Sequence, residues 1–171
     1  MSNKFLITLF LLSLITINSE HVKNGEKWFK STLFIGADDQ LLSLTLNDNE
    51  VYTPNLLLNN WLSIQTIDLV LFPGDELVFT LKNKAEEFSI EDPGAFAARI
   101  EYVNQNGETK SFLTNTKDWT CDGREPKSFG TVYKNLRYLN WQFQKLGDDV
   151  ELIWGSTQKQ TTKCRFTIPQ Y

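Results

Sequence analysis

Leu71-Phe72-Pro73-Gly74-Asp75-Glu76-Leu77-Val78-Phe79-Thr80-Leu81 is the stretch whose reading decides the fold. Pro presets φ and Gly supplies positive φ, so Phe72-Pro73-Gly74-Asp75 is a tight turn. Leu77, Phe79 and Leu81 then recur every second residue, the period of a strand with one buried face. Working outward, Leu42, Leu44 and Leu46 alternate with Ser43, Thr45 and Asn47 and predict a second strand with the leucines inward. Further strands are expected over Trp28–Ile35, Ser63–Leu71, Phe96–Val103, Lys110–Leu113, Leu139–Gln144, Val150–Trp154 and Lys163–Ile168. Asn49-Glu50, Asn104-Gln105-Asn106-Gly107-Glu108 and Gly147-Asp148-Asp149 supply turn residues between them. Thr120–Lys134 has the weakest pattern and reads as a long loop held at Cys121. No helical stripe follows the N-terminal segment, so the fold class is all-β, an antiparallel sandwich or barrel.

The N-terminus reads differently. Lys4 precedes the apolar run Phe5–Ile17, a basic n-region and an h-region too short to span a bilayer comfortably, which takes roughly 20 helical residues. Residues 1–19 are therefore expected to be a signal peptide cleaved near Ser19-Glu20, leaving a single secreted domain over 20–171 with no transmembrane anchor. Cleavage removes Lys4 and no acid, so 16 basic residues face 21 acidic ones and the net charge moves from −4 to −5. Phosphate-backbone binding draws on clustered Lys and Arg, whereas Lys23, Lys27 and Lys30 are scattered, so no nucleic-acid partner is expected. In an oxidising compartment Cys121 and Cys164, 43 residues apart, are most economically read as a disulfide.

Several motifs in series carry a resemblance. They are Phe34-Ile35-Gly36-Ala37-Asp38-Asp39, Leu44-Thr45-Leu46-Asn47-Asp48-Asn49-Glu50-Val51, Trp61, Leu71–Leu77, Pro93-Gly94-Ala95-Phe96-Ala97-Ala98-Arg99-Ile100 and Thr114-Asn115-Thr116-Lys117-Asp118-Trp119. In this order they resemble galactose-binding-domain-like jelly rolls, such as the accessory β-sandwich modules of bacterial rhamnosidases and other glycoside hydrolases. The likeness covers about residues 28–122. It implies a jelly-roll sandwich acting as a lectin-like, carbohydrate-binding module.

Sugar recognition needs an aromatic face for the apolar side of a pyranose, and carboxylates, amides or Arg for its hydroxyls. The chain has 5 Trp, 5 Tyr and 12 Phe to draw on. Trp141 and Trp154 lie in alternating strands and read as core. Trp61 and Trp119 have polar neighbours and are candidates for ligand contact, with packing at the sandwich end as the competing reading. Asp38 and Asp39 are candidates for a hydroxyl or a structural calcium ion, or they simply form a turn. Glu91 and Asp92 lie in the polar loop Asn83–Gly94, and Arg124 lies in the turn Asp122-Gly123-Arg124-Glu125; both loops read equally well as solvated connections. The only histidine, His21, sits near the expected new N-terminus with no nucleophile to serve, so no enzyme is expected. The partner is then a glycan or, as the alternative, an extracellular protein in an assembly.

Overall fold

A computed structural model describes residues 28–51, 63–84, 94–104, 106–131, 143–155 and 160–170. The signal segment and Trp141 lie outside these residues. The elements are β1 (Phe29–Asp38), β2 (Gln40–Leu46), β3 (Asn49–Glu50), β4 (Gln65–Leu71), β5 (Glu76–Lys82), β6 (Ala95–Val103), β7 (Thr109–Leu113), β8 (Trp119–Cys121), β9 (Lys127–Thr131), a 3-10 turn η1 (Gln144–Leu146), β10 (Glu151–Trp154) and β11 (Thr161–Thr167). They form two antiparallel sheets. Sheet A has the order β4-β1-β6-β10-β9, with β7 also paired to β6; sheet B has the order β3-β2-β5-β11-β8.

The two sheets share one apolar core, as alternation required. Leu33 and Ile35 of β1, Ile67 and Leu71 of β4, and Phe96, Ala98 and Ile100 of β6 meet Leu44 of β2, Leu77, Phe79 and Leu81 of β5, and Phe166 of β11. Aromatic contacts cross the gap between sheets: Phe96 lies edge-on to Trp119 at 5.6 Å, and Phe112 lies 5.4 Å from Phe166. Each such pair adds about 0.5–1.5 kcal/mol beyond the area it buries.

Turn chemistry is as the sequence expects at Phe72–Asp75 and Asp122–Glu125, whereas the turn expected at Asn49-Glu50 falls two residues earlier, at Asn47-Asp48, and Asn49–Glu50 itself forms β3. Asp75 N donates to Phe72 O at 3.1 Å across Pro73-Gly74, where Gly74 has φ 90°. Asn47 and Asp48, with φ 50° and 63°, both occupy the left-handed region that a two-residue hairpin between β2 and β3 demands. Asp122-Gly123 does the same after β8: Cys121 and Arg124 exchange both backbone hydrogen bonds, at 2.8 and 3.1 Å.

Three further expectations are corrected. Leu42 does not point inward: the β2–β5 ladder slips between Leu41 and Ser43, so Leu41 and Leu44 are buried and Leu42 is 41% exposed. A bulge inserts one residue and breaks the period-two count. Of the strand expected over Leu139–Gln144, residues 139–142 lie outside the described structure, and Phe143 leads into η1 and Gln144 begins it, so neither is part of a strand. The Phe143 side chain is read by a second cluster, in which Phe143, Leu146, Val150 and Leu152 pack with Ala95 and Ala97 on the outer face of sheet A. Finally, Thr120–Lys134 is not one long loop, because it contains the end of β8, the Asp122-Gly123 hairpin and β9.

Small residues on β1 and β6 make room for that second cluster. Gly36 stands opposite Ala97, and a Cβ there would come within 2.8 Å of the Phe143 Cδ1 atom and 3.0 Å of Ile64. Thr114 joins the parts of sheet A that share one edge of β6. Its N–H donates to Ala98 O, its hydroxyl donates to Glu151 O at 2.7 Å, and its carbonyl accepts from Glu151 N at 3.0 Å. The disulfide is present, and it ties β8 to its neighbour β11, where Cys121 and Cys164 are directly opposite with a Cα separation of 4.0 Å.

Gly36→Val is expected to destabilise the fold by about 1–3 kcal/mol, the usual cost of overpacking a filled site, measured by urea unfolding against wild type. Replacing both cysteines by alanine is expected to cost roughly 4 kcal/mol on the loop-entropy relation, read from the unfolding free energy in water by the same urea titration, with a steeper slope because the uncrosslinked denatured chain exposes more surface.

Candidate functional site

Of the residues singled out for ligand contact, Asp38, Asp39, Trp119 and Arg124 lie within the described structure, while Trp61, Glu91 and Asp92 lie outside it. Trp119 is the clearest correction. It is 1% exposed, its ring stacks on Phe166 at 4.9 Å and 20°, and its indole N–H donates to Leu113 O at 3.0 Å. With Phe79 at 5.6 Å and Phe96 at the same distance, the ring has no face left for a sugar. The polar neighbours that made it look exposed belong to a turn. Asn115 Oδ1 accepts from Lys117 N and Asp118 N at 2.8 Å each, and Asn115 Nδ2 donates to Asp118 Oδ2 at 2.9 Å. Such an Asx turn satisfies its own polar groups and hands the chain into β8.

Asp38 and Asp39 mark the passage of the chain from sheet A to sheet B, between β1 and β2. Asp38 is 7% exposed, and Asp39 is half-buried with its Oδ2 accepting from Lys84 N at 2.7 Å. The Asp39 carboxylate thus ties the end of β5 to the sheet crossover, which is the turn-forming role. Among the described residues no group of three or more His, Cys, Asp or Glu side chains is placed to hold a metal ion. Arg124 is exposed at the end of the Asp122-Gly123 hairpin, beside the disulfide. The β8 edge beside which it lies is separated from β2, where the Asp38-Asp39 crossover leads, by β5 and β11. Trp154 is fully buried, as the core reading requires.

The opposite end of the sandwich is more ordered than its sequence suggested. Asp75 accepts from Phe72 N at 2.7 Å and from Asn47 Nδ2 at 2.7 Å, while Asn47 Oδ1 accepts from Glu76 N at 2.9 Å. Two turns are therefore latched to each other through side chains. The arrangement orders a rim; each polar atom named is spent on the protein's own backbone or neighbour.

Sequence reasoning passed over the outer face of sheet A, which the period-two pattern left as mere solvent side. It carries Phe34 with the Arg99 guanidinium 4.9 Å above its ring, an Arg99–Glu101 ion pair at 3.1 Å, and a hydrogen bond from the Thr32 hydroxyl to Asp68 at 2.9 Å. The signal was present as the out-facing alternate residues of β1, β4 and β6, but only the register shows that they adjoin. No helix among the described residues is long and apolar enough to cross a membrane.

Comparison with known proteins finds no family model, curated protein or solved structure that matches this chain.

One electrostatic feature is testable at the β6–β7 hairpin. Hydrogen bonds from Asn104 first and from Lys110 second hold the Glu108 carboxyl below the ordinary glutamate value. A lowered folded-state pKa stabilises the hairpin fully above the unfolded value, and this contribution fades as pH falls through the folded one. An NMR titration of the Glu108 side chain is expected to give a midpoint below that of a free glutamate, and Asn104→Ala is expected to move it upward.

Proposed function

We propose that this chain is a secreted, non-catalytic carbohydrate-binding module on a jelly-roll sandwich of the galactose-binding-domain-like kind. The supporting observation is how the resemblance motifs align with the fold. Ala37-Asp38-Asp39 ends β1 and crosses to β2, Asn47-Asp48 makes the β2–β3 turn, Pro73-Gly74 opens β5, the small residues after Gly94 form β6, and Asn115–Trp119 leads from a turn into the core. Each of these stretches within the described residues forms a turn, a sheet crossover or a buried strand, which supports the reading. Strands consecutive in the chain repeatedly change sheets, from β1 to β2, β3 to β4, β4 to β5 and β5 to β6, which favours a wrapped topology over a simple meander. A sandwich cross-linked by a disulfide within one sheet suits an extracellular module that must keep its surface in shape.

Function here means presenting a fixed surface to a glycan, with hydrogen bonds from side chains on a rigid sheet and little ordering cost on binding. The mature, oxidised chain is expected to bind a subset of oligosaccharides on a diverse printed array. Absence of signal above background, both with calcium and with a chelator, would remove this reading.

A further inference from the structure

Asn106-Gly107 lies in the hairpin between Val103 of β6 and Thr109 of β7. Asn104 N donates to Glu108 O at 2.9 Å, and Gly107 N donates to Asn104 O at 3.0 Å with Gly107 at φ 77°. This is a tight turn completed by a glycine in the left-handed region. The Asn104 side chain braces it from within. Its Oδ1 accepts from Asn106 N and from Glu108 N, both at 2.9 Å, and its Nδ2 donates to Glu108 Oε2 at 2.9 Å.

Asn106 differs from every other asparagine among the described residues. It is exposed, and its carboxamide makes no hydrogen bond with a described residue; only its backbone N–H is engaged. The side chains of Asn47, Asn49, Asn104 and Asn115 are held in hydrogen bonds, and Asn83 is buried. Asn106 is also the only one of them followed by glycine. Gly107 has no Cβ to keep its backbone nitrogen from a neighbouring carbonyl carbon, and the space around it is open, since a Cβ built there would meet nothing within 4 Å.

We propose that Asn106 is a modification site at which the chain deamidates itself, at a rate set by the Asn104 turn. The Gly107 backbone nitrogen attacks Asn106 Cγ. The N–Cγ bond forms, the Cγ–Nδ2 bond breaks, and the amide proton leaves with Nδ2 as ammonia. Water then opens the cyclic imide, its hydroxyl going to one of the two imide carbonyl carbons and its proton to the Gly107 nitrogen. Breaking the N–Cγ bond leaves an aspartyl residue at position 106; breaking the bond to the main-chain carbonyl carbon leaves an isoaspartyl residue. In the closed hairpin the Gly107 N–H is spent on Asn104 O, so attack waits for the tip to open, as exposed loops do at a small fraction of the global unfolding free energy.

Asp122-Gly123 offers the same ring closure in sequence and is withheld from it by structure. Asp122 Oδ1 accepts from Lys163 N at 3.0 Å, and Asp122 N donates to Lys163 O at 2.8 Å. Its Oδ2 packs against Gly155 so closely that a Cβ there would come within 2.7 Å. The carboxyl is thus pinned to β11 and does not swing onto the Gly123 nitrogen. At the β6–β7 tip, by contrast, each conversion adds an acidic group beside Glu108. The isoaspartyl form also lengthens the main chain of the turn by one methylene, which displaces the N–H groups that Asn104 holds, so this end of the molecule changes with age.

The test incubates the full, oxidised chain in mildly alkaline buffer and follows the tryptic fragment of residues 100–110 by tandem mass spectrometry and isoaspartyl methyltransferase labelling. Conversion at Asn106 is expected while Asp122 stays unchanged, and Asn106→Gln is expected to abolish it. Asn104→Ala keeps the backbone carbonyl but removes the brace, and is expected to speed conversion about three- to tenfold, the worth of one or two neutral hydrogen bonds. Asn104→Asp retains the accepting oxygen and is expected to convert at the wild-type rate. A synthetic peptide of residues 100–110 gives the rate without the fold. An Asn106 amide wholly intact in the folded chain once that peptide has fully converted would overturn the site. Equal rates at Asn106 and Asp122, or an Asn104→Ala rate equal to wild type, would overturn control by the turn.

Discussion

Contact between Trp119 and Phe96 is the constraint on which the rest of the structure leans. Trp119 belongs to sheet B and Phe96 to sheet A, and each is fully buried or nearly so. Around them Phe79 and Phe166 close the faces of the indole, and Phe112 extends the contact back to sheet A. Two sheets have no backbone hydrogen bonds to each other, so their separation and angle are set by side chains of this size. Losing one such aromatic typically costs about 3–5 kcal/mol, a large share of the stability of an ordinary domain. A tryptophan under that demand is not available as a binding residue, however polar its neighbours in sequence.

Much of the fold was legible because burial has a period. The alternation at Leu77, Phe79 and Leu81, and at Lys163–Ile168, leads directly to two central strands of sheet B. Where the reading failed, local pattern met a tertiary decision. A bulge moved Leu42 outward without leaving a mark in composition, since leucine alternates with polar residues on either count. Phe143 looked like part of a strand because its partners, Gly36, Ala95 and Ala97, are signalled only as small residues far away in the chain.

The candidate site was less legible, for a related reason. Polar loops drew attention because ligand contacts often lie on loops. Among the described loop residues three of these groups are committed to the protein itself: Asp39 to Lys84, Asp75 to Phe72 and Asn47, Asn115 to Lys117 and Asp118. Exposed apolar side chains stand on the sheet instead, where strands distant in sequence bring Trp28, Val70 and Val103 into one corner around Lys30. That neighbourhood exists only once the antiparallel register is known.

Strand β6 shows what such a half-covered face means for change over evolutionary time. Ala95 and Ala97 are sealed under Phe143 and Leu146, so growth at either position has no space to fill, whereas Arg99, Glu101 and Val103 continue the same face toward solvent. One strand therefore carries two regimes of sequence freedom, divided between Ala97 and Arg99. Drift at the open end can retune the outer surface residue by residue while the closed end keeps the sheet in place, so new surface chemistry can arise without renegotiating the fold.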